Sequence, residues 1–239
     1  AYTYIHNEAT TGYWTRLKNG SGKHFAAYGL TENDPTKRTF RGHLASSENR
    51  TFELTNSTNG GNNMIGNSWT APINIGALQE SDFVNAEATI YIYNTGFDAT
   101  KGETAEGSSP GQWLSIPVNT AKEPEFMGLK VIPSQQAFEV HAGSGGGSLT
   151  LDYNRVVMPQ NGAALSTEPL RAPRRAAAHE DVVMMRIDVT GEKTRTSTYL
   201  IEGEQFTTAF DNGWDGYFFE GDGRSADFYS LSQLGNMAV

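Results

Sequence analysis

The chain contains no cysteine. That absence excludes a disulfide framework, a thiolate metal site and a cysteine nucleophile together, so stability has to come from a packed core. No apolar run is long enough to cross a bilayer as a helix, and no lysine- or arginine-rich stripe is present. With 18 basic residues against 27 acidic ones, the formal net charge is -9, and nucleic-acid backbone binding is not expected. Catalytic signatures are missing as well. The histidines, His6, His24, His43, His141 and His179, form neither an H-x-x-x-H pair nor an alternating H-x-H, so no zinc site is indicated. Serine in a G-x-S-x-G elbow is absent too; Ser144 comes nearest, with Ala142 in the first glycine's place.

What the chain does have is material for sheets. Of 239 residues, 37% are hydrophobic and 11% aromatic, enough for a large core, while 26 glycines and abundant Ser, Thr and Asn suit short strands joined by turns. Period-two alternation recurs in "RTFELT", "ATIYIYN", "AFEVHA", "SLTLDY", "VVMMRIDV" and "TSTYLIEG", each bounded by turn residues. This pattern predicts an all-β fold with very little helix, an antiparallel β-sandwich, jelly-roll-like, over residues 1–239 as one domain. A weak echo between the Trp14 and Trp113 strands, each followed by an aromatic-bearing strand, suggests two pseudo-symmetric sheet halves. Helix is expected at most in "ALQESDF" and "PRRAAAHED", and "AGSGGGSL" reads as a hairpin tip. The chain opens abruptly at "AYTYIH" and its last residues read as a strand just formed, which predicts a fragment of a longer protein.

Two stretches are candidates for binding. "MIGNSWTAPINI" places Asn67 and Trp69 in a corner between strands, where a turn is one reading and a flat stacking face with hydrogen-bonding neighbours is the other. "FDNGWDGYFFEGDGRSAD" sets Trp214 and Tyr217 beside Asp211, Asp215 and Asp222. Asp211, Asp215 and Gly216 fall at positions 1, 5 and 6 of a calcium loop, although Gly213 stands at position 3 and Asp222 where a bidentate glutamate belongs. Calcium through Asp211, Asp215 and Asp222 is therefore one expectation, and an Asn-, Asp- and Gly-rich turn the other. Asp82, Glu87, Asp98, Glu202 and Glu204 supply carboxylates, but sequence spacing does not show the separation that glycoside hydrolysis requires. "LRAPRRAAAHED" concentrates Arg171, Arg174 and Arg175 in an otherwise acidic chain and reads as a solvated loop.

Taken in order, "GSGKHFAAY", "NNMIGNSWTAPINI", "ATIYIYNTG", "VIPSQQAFEVHA", "FTTAFDNGWDG" and "DFYSLSQLGNMAV" resemble the β-rich region of large secreted and cell-surface proteins of Bacteroidetes. In that family the region often lies upstream of a C-terminal sorting domain of the type IX secretion pathway. Here Ser68 and Trp69 stand where the family has proline and tyrosine, and Glu139 replaces an aromatic residue. The resemblance implies an extracellular or outer-surface β-sandwich and transfers no catalytic residue. Two readings of different class follow. One is a non-catalytic structural or adhesive module of a surface protein, whose partners are other copies of itself or other surface proteins. The other is a carbohydrate-binding module that stacks glycans on Trp69, Trp214 or Tyr217 with help from Asn67. A hydrolase comes last.

Overall fold

A computed structural model describes residues 2–6, 14–18, 27–28, 48–56, 59–67, 69–94, 112–134, 136–157, 182–190, 195–220 and 227–239, the earliest strands by their pairing alone. The strands are β1 (Tyr2–His6), β2 (Trp14–Lys18), β3 (Ala27–Tyr28), β4 (Arg50–Leu54), β5 (Asn62–Gly66), β6 (Ile73–Asn74), β7 (Phe83–Val84) and β8 (Thr89–Asn94). They continue as β9 (Gln112–Pro117), β10 (Val131–Ile132), β11 (Ala137–His141), β12 (Gly147–Leu151), β13 (Val183–Thr190), β14 (Arg195–Glu202), β15 (Ser230–Ser232) and β16 (Gly235–Met237). One four-residue helix, α1 (Tyr153–Val156), is the α-helix among the described residues.

Two antiparallel sheets face each other. The larger has the order β5-β11-β8-β9, and the smaller β4-β12-β7. Because side chains alternate across a strand, each sheet contributes every second residue to one shared core: Ile65, Ile90, Ile92, Ile116, Phe138 and Val140 from the first, Phe52, Leu54, Phe83, Leu149 and Leu151 from the second. Burying each of these side chains contributes about 1.5–3 kcal/mol. The all-β sandwich read from the alternation is the fold observed.

The connections depart from expectation in instructive ways. "AGSGGGSL" is not a hairpin tip. It hands the chain from β11 in one sheet to β12 in the other, two strands that do not pair. Gly145 and Gly146 take φ values of 89° and 86° there, in the left-handed region that suits glycine, and a β-carbon on Gly146 would lie 2.6 Å from the Leu54 carbonyl oxygen. "ALQESDF" forms 3-10 turns at Ile75–Ala77 and Glu80–Asp82 instead of an α-helix. The helix α1 was not anticipated, although Asp152 signals it: its side chain caps the Asn154 N–H at 3.1 Å. The Trp14 and Trp113 strands do share a neighbour order, β2-β1-β3 and β9-β8-β11, but β3 runs parallel to β1 whereas β11 runs antiparallel to β8. The two halves therefore echo in order and differ in direction. "PRRAAAHED" and Arg171, Arg174 and Arg175 lie outside the described residues.

β13 and β14 form a separate two-stranded ribbon that packs on the core. Met184, Tyr199 and Ile201 pack on the core, while Val183, Met185 and Leu200 are exposed. The final residues lie between this ribbon and the chain near Gly216: Ala238 accepts from the Tyr199 N–H and donates to the Gly216 carbonyl. Among the described residues no helix is long and apolar enough to cross a membrane.

Candidate functional site

Asn67 and Trp69 form the corner between β5 and β6, and both are interior, at 1% and 2% exposure. The Asn67 amide donates to the carbonyls of Ala71 (2.9 Å), Pro133 (3.1 Å) and Ile132 (3.2 Å), while its side-chain oxygen accepts from the Trp69 N–H at 3.1 Å. One side chain thus satisfies backbone groups from two segments at the end of the short β6–β10 ladder. Ser134 fixes the same corner by donating to the Trp69 carbonyl. The Trp69 ring meets Tyr153 of α1 edge-on, with centroids 5.2 Å apart. Trp69 therefore offers no face to a ligand in this arrangement, and Asn67 spends its amide on the chain itself.

The second candidate stretch crosses the outer face of the large sheet. Thr89, Tyr91 and Tyr93 of β8 and Trp113, Ser115 and Pro117 of β9 point away from the core, opposite Ile90, Ile92 and Ile116. Residues 211–219 lie over them. Thr89 donates to the Asp215 carbonyl at 2.9 Å, Ser115 to the Tyr217 carbonyl at 2.6 Å, and Thr120 to the Trp214 carbonyl at 3.0 Å. The Asn212 side chain accepts from the Ala88 N–H at 2.7 Å, and Gly213 accepts from the Asn119 N–H at 2.8 Å. Gly216 fits because it has no side chain: a β-carbon would stand 3.0 Å from that of Ser115. Phe219 packs on Tyr91 at 4.7 Å.

Within this crossing, Asp211 accepts from the Thr207 N–H at 2.7 Å and the Thr207 hydroxyl at 2.9 Å, and Asp215 accepts from the Asp211 N–H at 2.8 Å. The two carboxylates close their own turn, and burial raises the Asp215 pKa. No cluster of three or more His, Cys, Asp or Glu side chains able to hold a metal occurs among the described residues, and Asp222 lies outside them. Trp214 packs edge-on against Phe206 at 5.0 Å and lines a groove of about 350 Å³ with Thr207, Leu200 and Leu234. Tyr217 stacks on Phe210 at 4.9 Å. The structure therefore separates the pairs Asn67–Trp69 and Trp214–Tyr217 rather than uniting them in one site. Of the carboxylates considered for hydrolysis, Asp82 pairs with Arg155 of α1, and Asp98 lies outside the described residues.

A third constellation was not legible. Glu87, just before β8, accepts from the Tyr91 hydroxyl at 2.7 Å through one oxygen and contacts His141 Nδ1 through the other. His141 Nε2 faces the Gly60 carbonyl at 2.7 Å. Tyr91 is fully buried and also receives the Tyr217 N–H at 3.3 Å. Its pKa stands well above that of a free tyrosine, first through burial and then through Glu87. Glu139, two residues before His141 on the same face, is 7% exposed, and burial raises its pKa to about 6 against the opposing pull of His141. The histidine's own pKa is raised, chiefly by its hydrogen bond to Glu87. Sequence reasoning took His141 as one isolated histidine because its partners stand 54 and 81 residues away.

No family model matches the chain, and no solved structure matches it significantly. Among curated proteins it is similar to the minor fimbrium subunit Mfa5 of Porphyromonas gingivalis, with 31% identity over 189 residues. The matched stretch takes in 74% of this chain and 14% of that protein, so the chain corresponds to one part of a much longer fimbrial subunit.

Proposed function

We propose that the chain is a non-catalytic structural or adhesive module of a larger bacterial cell-surface protein, displayed outside the cell. The similarity to a minor fimbrium subunit over 74% of the chain carries this reading. Its fold supports it: strands anchored in a shared core leave edges that can accept another strand. β9 is a terminal strand of the large sheet, with no further neighbour among the described residues, and an unpaired row of N–H and C=O groups is the usual substrate for strand addition. Other copies of the protein or other surface proteins are the partners proposed, and the resemblance of the motif order adds export by the type IX pathway.

Protease shaving of intact cells producing the full protein tests the location. Loss of an epitope within residues 182–239 from intact cells is the expected result, and protection until lysis would overturn the reading. Cells lacking the type IX translocon should retain the protein; normal display in them would remove that route alone. Sedimentation across a wide concentration range, joined to cross-linking on intact cells, tests association. A monomer throughout with no cross-linked neighbour would remove the partner proposal.

A further inference from the structure

The imidazole of His141 is placed between two groups that can only accept. Nε2 faces the Gly60 carbonyl at 2.7 Å and Nδ1 faces a carboxylate oxygen of Glu87. A neutral imidazole carries one N–H, so it can serve one of these and must set a lone pair against the other. The doubly protonated ring serves both. The three groups come from separate places: Glu87 from the connection into β8, His141 from the end of β11, and Gly60 from the 3-10 turn Asn59–Gly61 that leads into β5. Backbone bonds run alongside, with Ala142 donating to Gly61 at 2.8 Å and Glu87 to His141 at 2.9 Å, so the imidazolium spans a joint that is already closed on both sides.

We propose that His141 is a proton-operated latch, which when charged ties the 59–61 turn to Glu87 at the end of the large sheet and when neutral lets one of the two go. The Gly60 side is the one released, since a bond to a carboxylate is stronger than one to a neutral carbonyl. Every titratable neighbour acts in a defined direction. Glu87 holds the proton on the ring, Glu139 on the same strand adds negative charge, and Tyr91 of β8 is neutral and donates to Glu87. From the crossing segment, Tyr217 feels the charge of both Glu87 and Asp215, which raises its pKa further after burial. β5 carries no titratable residue, and Tyr28 is the titratable residue of β3, which packs against β5 and β11.

The sign follows from linkage. A histidine whose pKa is raised on folding contributes stability that is complete below its unfolded value of about 6.5 and is lost as pH rises through the folded value. Glu139, with its pKa raised to about 6, opposes folding once it ionises, so its penalty grows from the unfolded carboxylate range up to that value and is constant above it. Both groups favour mildly acidic surroundings, in separate windows.

Thermal melts of the 239-residue chain from pH 4.5 to 9, with proton-detected histidine titration in parallel, test the latch. The wild type should lose about 2–4 °C of Tm for each kcal/mol in two steps. His141→Gln should abolish the upper step and keep the lower, and Glu139→Gln should do the reverse. Protection factors at residues 60–62, with the intrinsic rise of amide exchange with pH divided out, should fall across the upper step in the wild type. An upper step that persists in His141→Gln overturns the latch. If that variant does not fold, the wild-type titration decides: a pKa for His141 at or below the free value, or protection factors at residues 60–62 that do not change across the step, overturns the proposal, and a raised pKa with a fall in those protection factors sustains it.

Discussion

Along β8, Ile90 and Ile92 enter the sandwich core while Thr89 and Tyr91, their neighbours in the chain, face the segment that crosses outside. Both faces are buried, at 0% exposure for Ile90 and for Tyr91 alike, but by different chemistry. The inner face is closed by hydrocarbon from a second sheet. The outer is closed by a single chain segment, held by hydroxyls and rings, with the ionisable group of Glu87, His141 and Glu139 at its margin. Burial alone therefore does not define a core; what a buried residue needs from its cover differs between the two sides. The inner side tolerates imperfect contact at a cost graded in volume, whereas the outer side has partners to lose.

Substitutions should expose this difference in order of size. Phe138→Ala, on the inner face, should destabilise by about 3–5 kcal/mol in urea melts, with no dependence on pH; a loss under 1 kcal/mol would show that the core is not shared between the sheets. Tyr91→Phe removes almost no volume and should still cost about 1–3 kcal/mol, because Glu87 loses a donor and the Tyr217 N–H an acceptor. Should it prove neutral, the outer face would be an ordinary apolar contact and the contrast would fail. Gly216→Ala should cost about 1–3 kcal/mol by pushing the crossing segment off Ser115, with Trp214 fluorescence shifting to longer wavelength. Ser115→Ala should cost about 1 kcal/mol by losing one of several anchors. Calcium has the smallest expected effect. Asp211 and Asp215 already accept donors from their own turn, so millimolar calcium should leave Tm unchanged, and a dose-dependent rise would indicate that Asp222 joins them around an ion.

The inner face was legible in the sequence because its signal is local. Alternation in "ATIYIYN" and "AFEVHA" assigns Ile90, Ile92, Phe138 and Val140 to one side without knowledge of the partner strand. The corner at residues 64–75 was legible as a turn for the same reason, since Gly66, Asn67 and Ser68 are turn formers and Pro72 fixes its own φ. Asn67 was legible as a polar residue in a turn, not as the hub that serves carbonyls 65 and 66 residues distant. The outer face resisted reading because its signal is contingent on tertiary contact. Glu139 interrupts an otherwise apolar run and looks solvent-facing, and His141 looks solitary until Glu87 and Gly60 are brought to it. Asp211 and Asp215 resembled metal ligands because a turn closed by its own carboxylates and an ion-binding loop draw on the same residues.

The sheet holds the crossing segment chiefly by its main chain. Thr89, Ser115 and Thr120 take the carbonyls of Asp215, Tyr217 and Trp214, and Asn119 takes that of Gly213. A grip on carbonyls does not read the identity of the residue that carries them. Identity is read instead at Asn212, whose side chain meets the Ala88 N–H, at the left-handed Gly213, at Gly216, at the two carboxylates that close the turn and at the rings packed beneath.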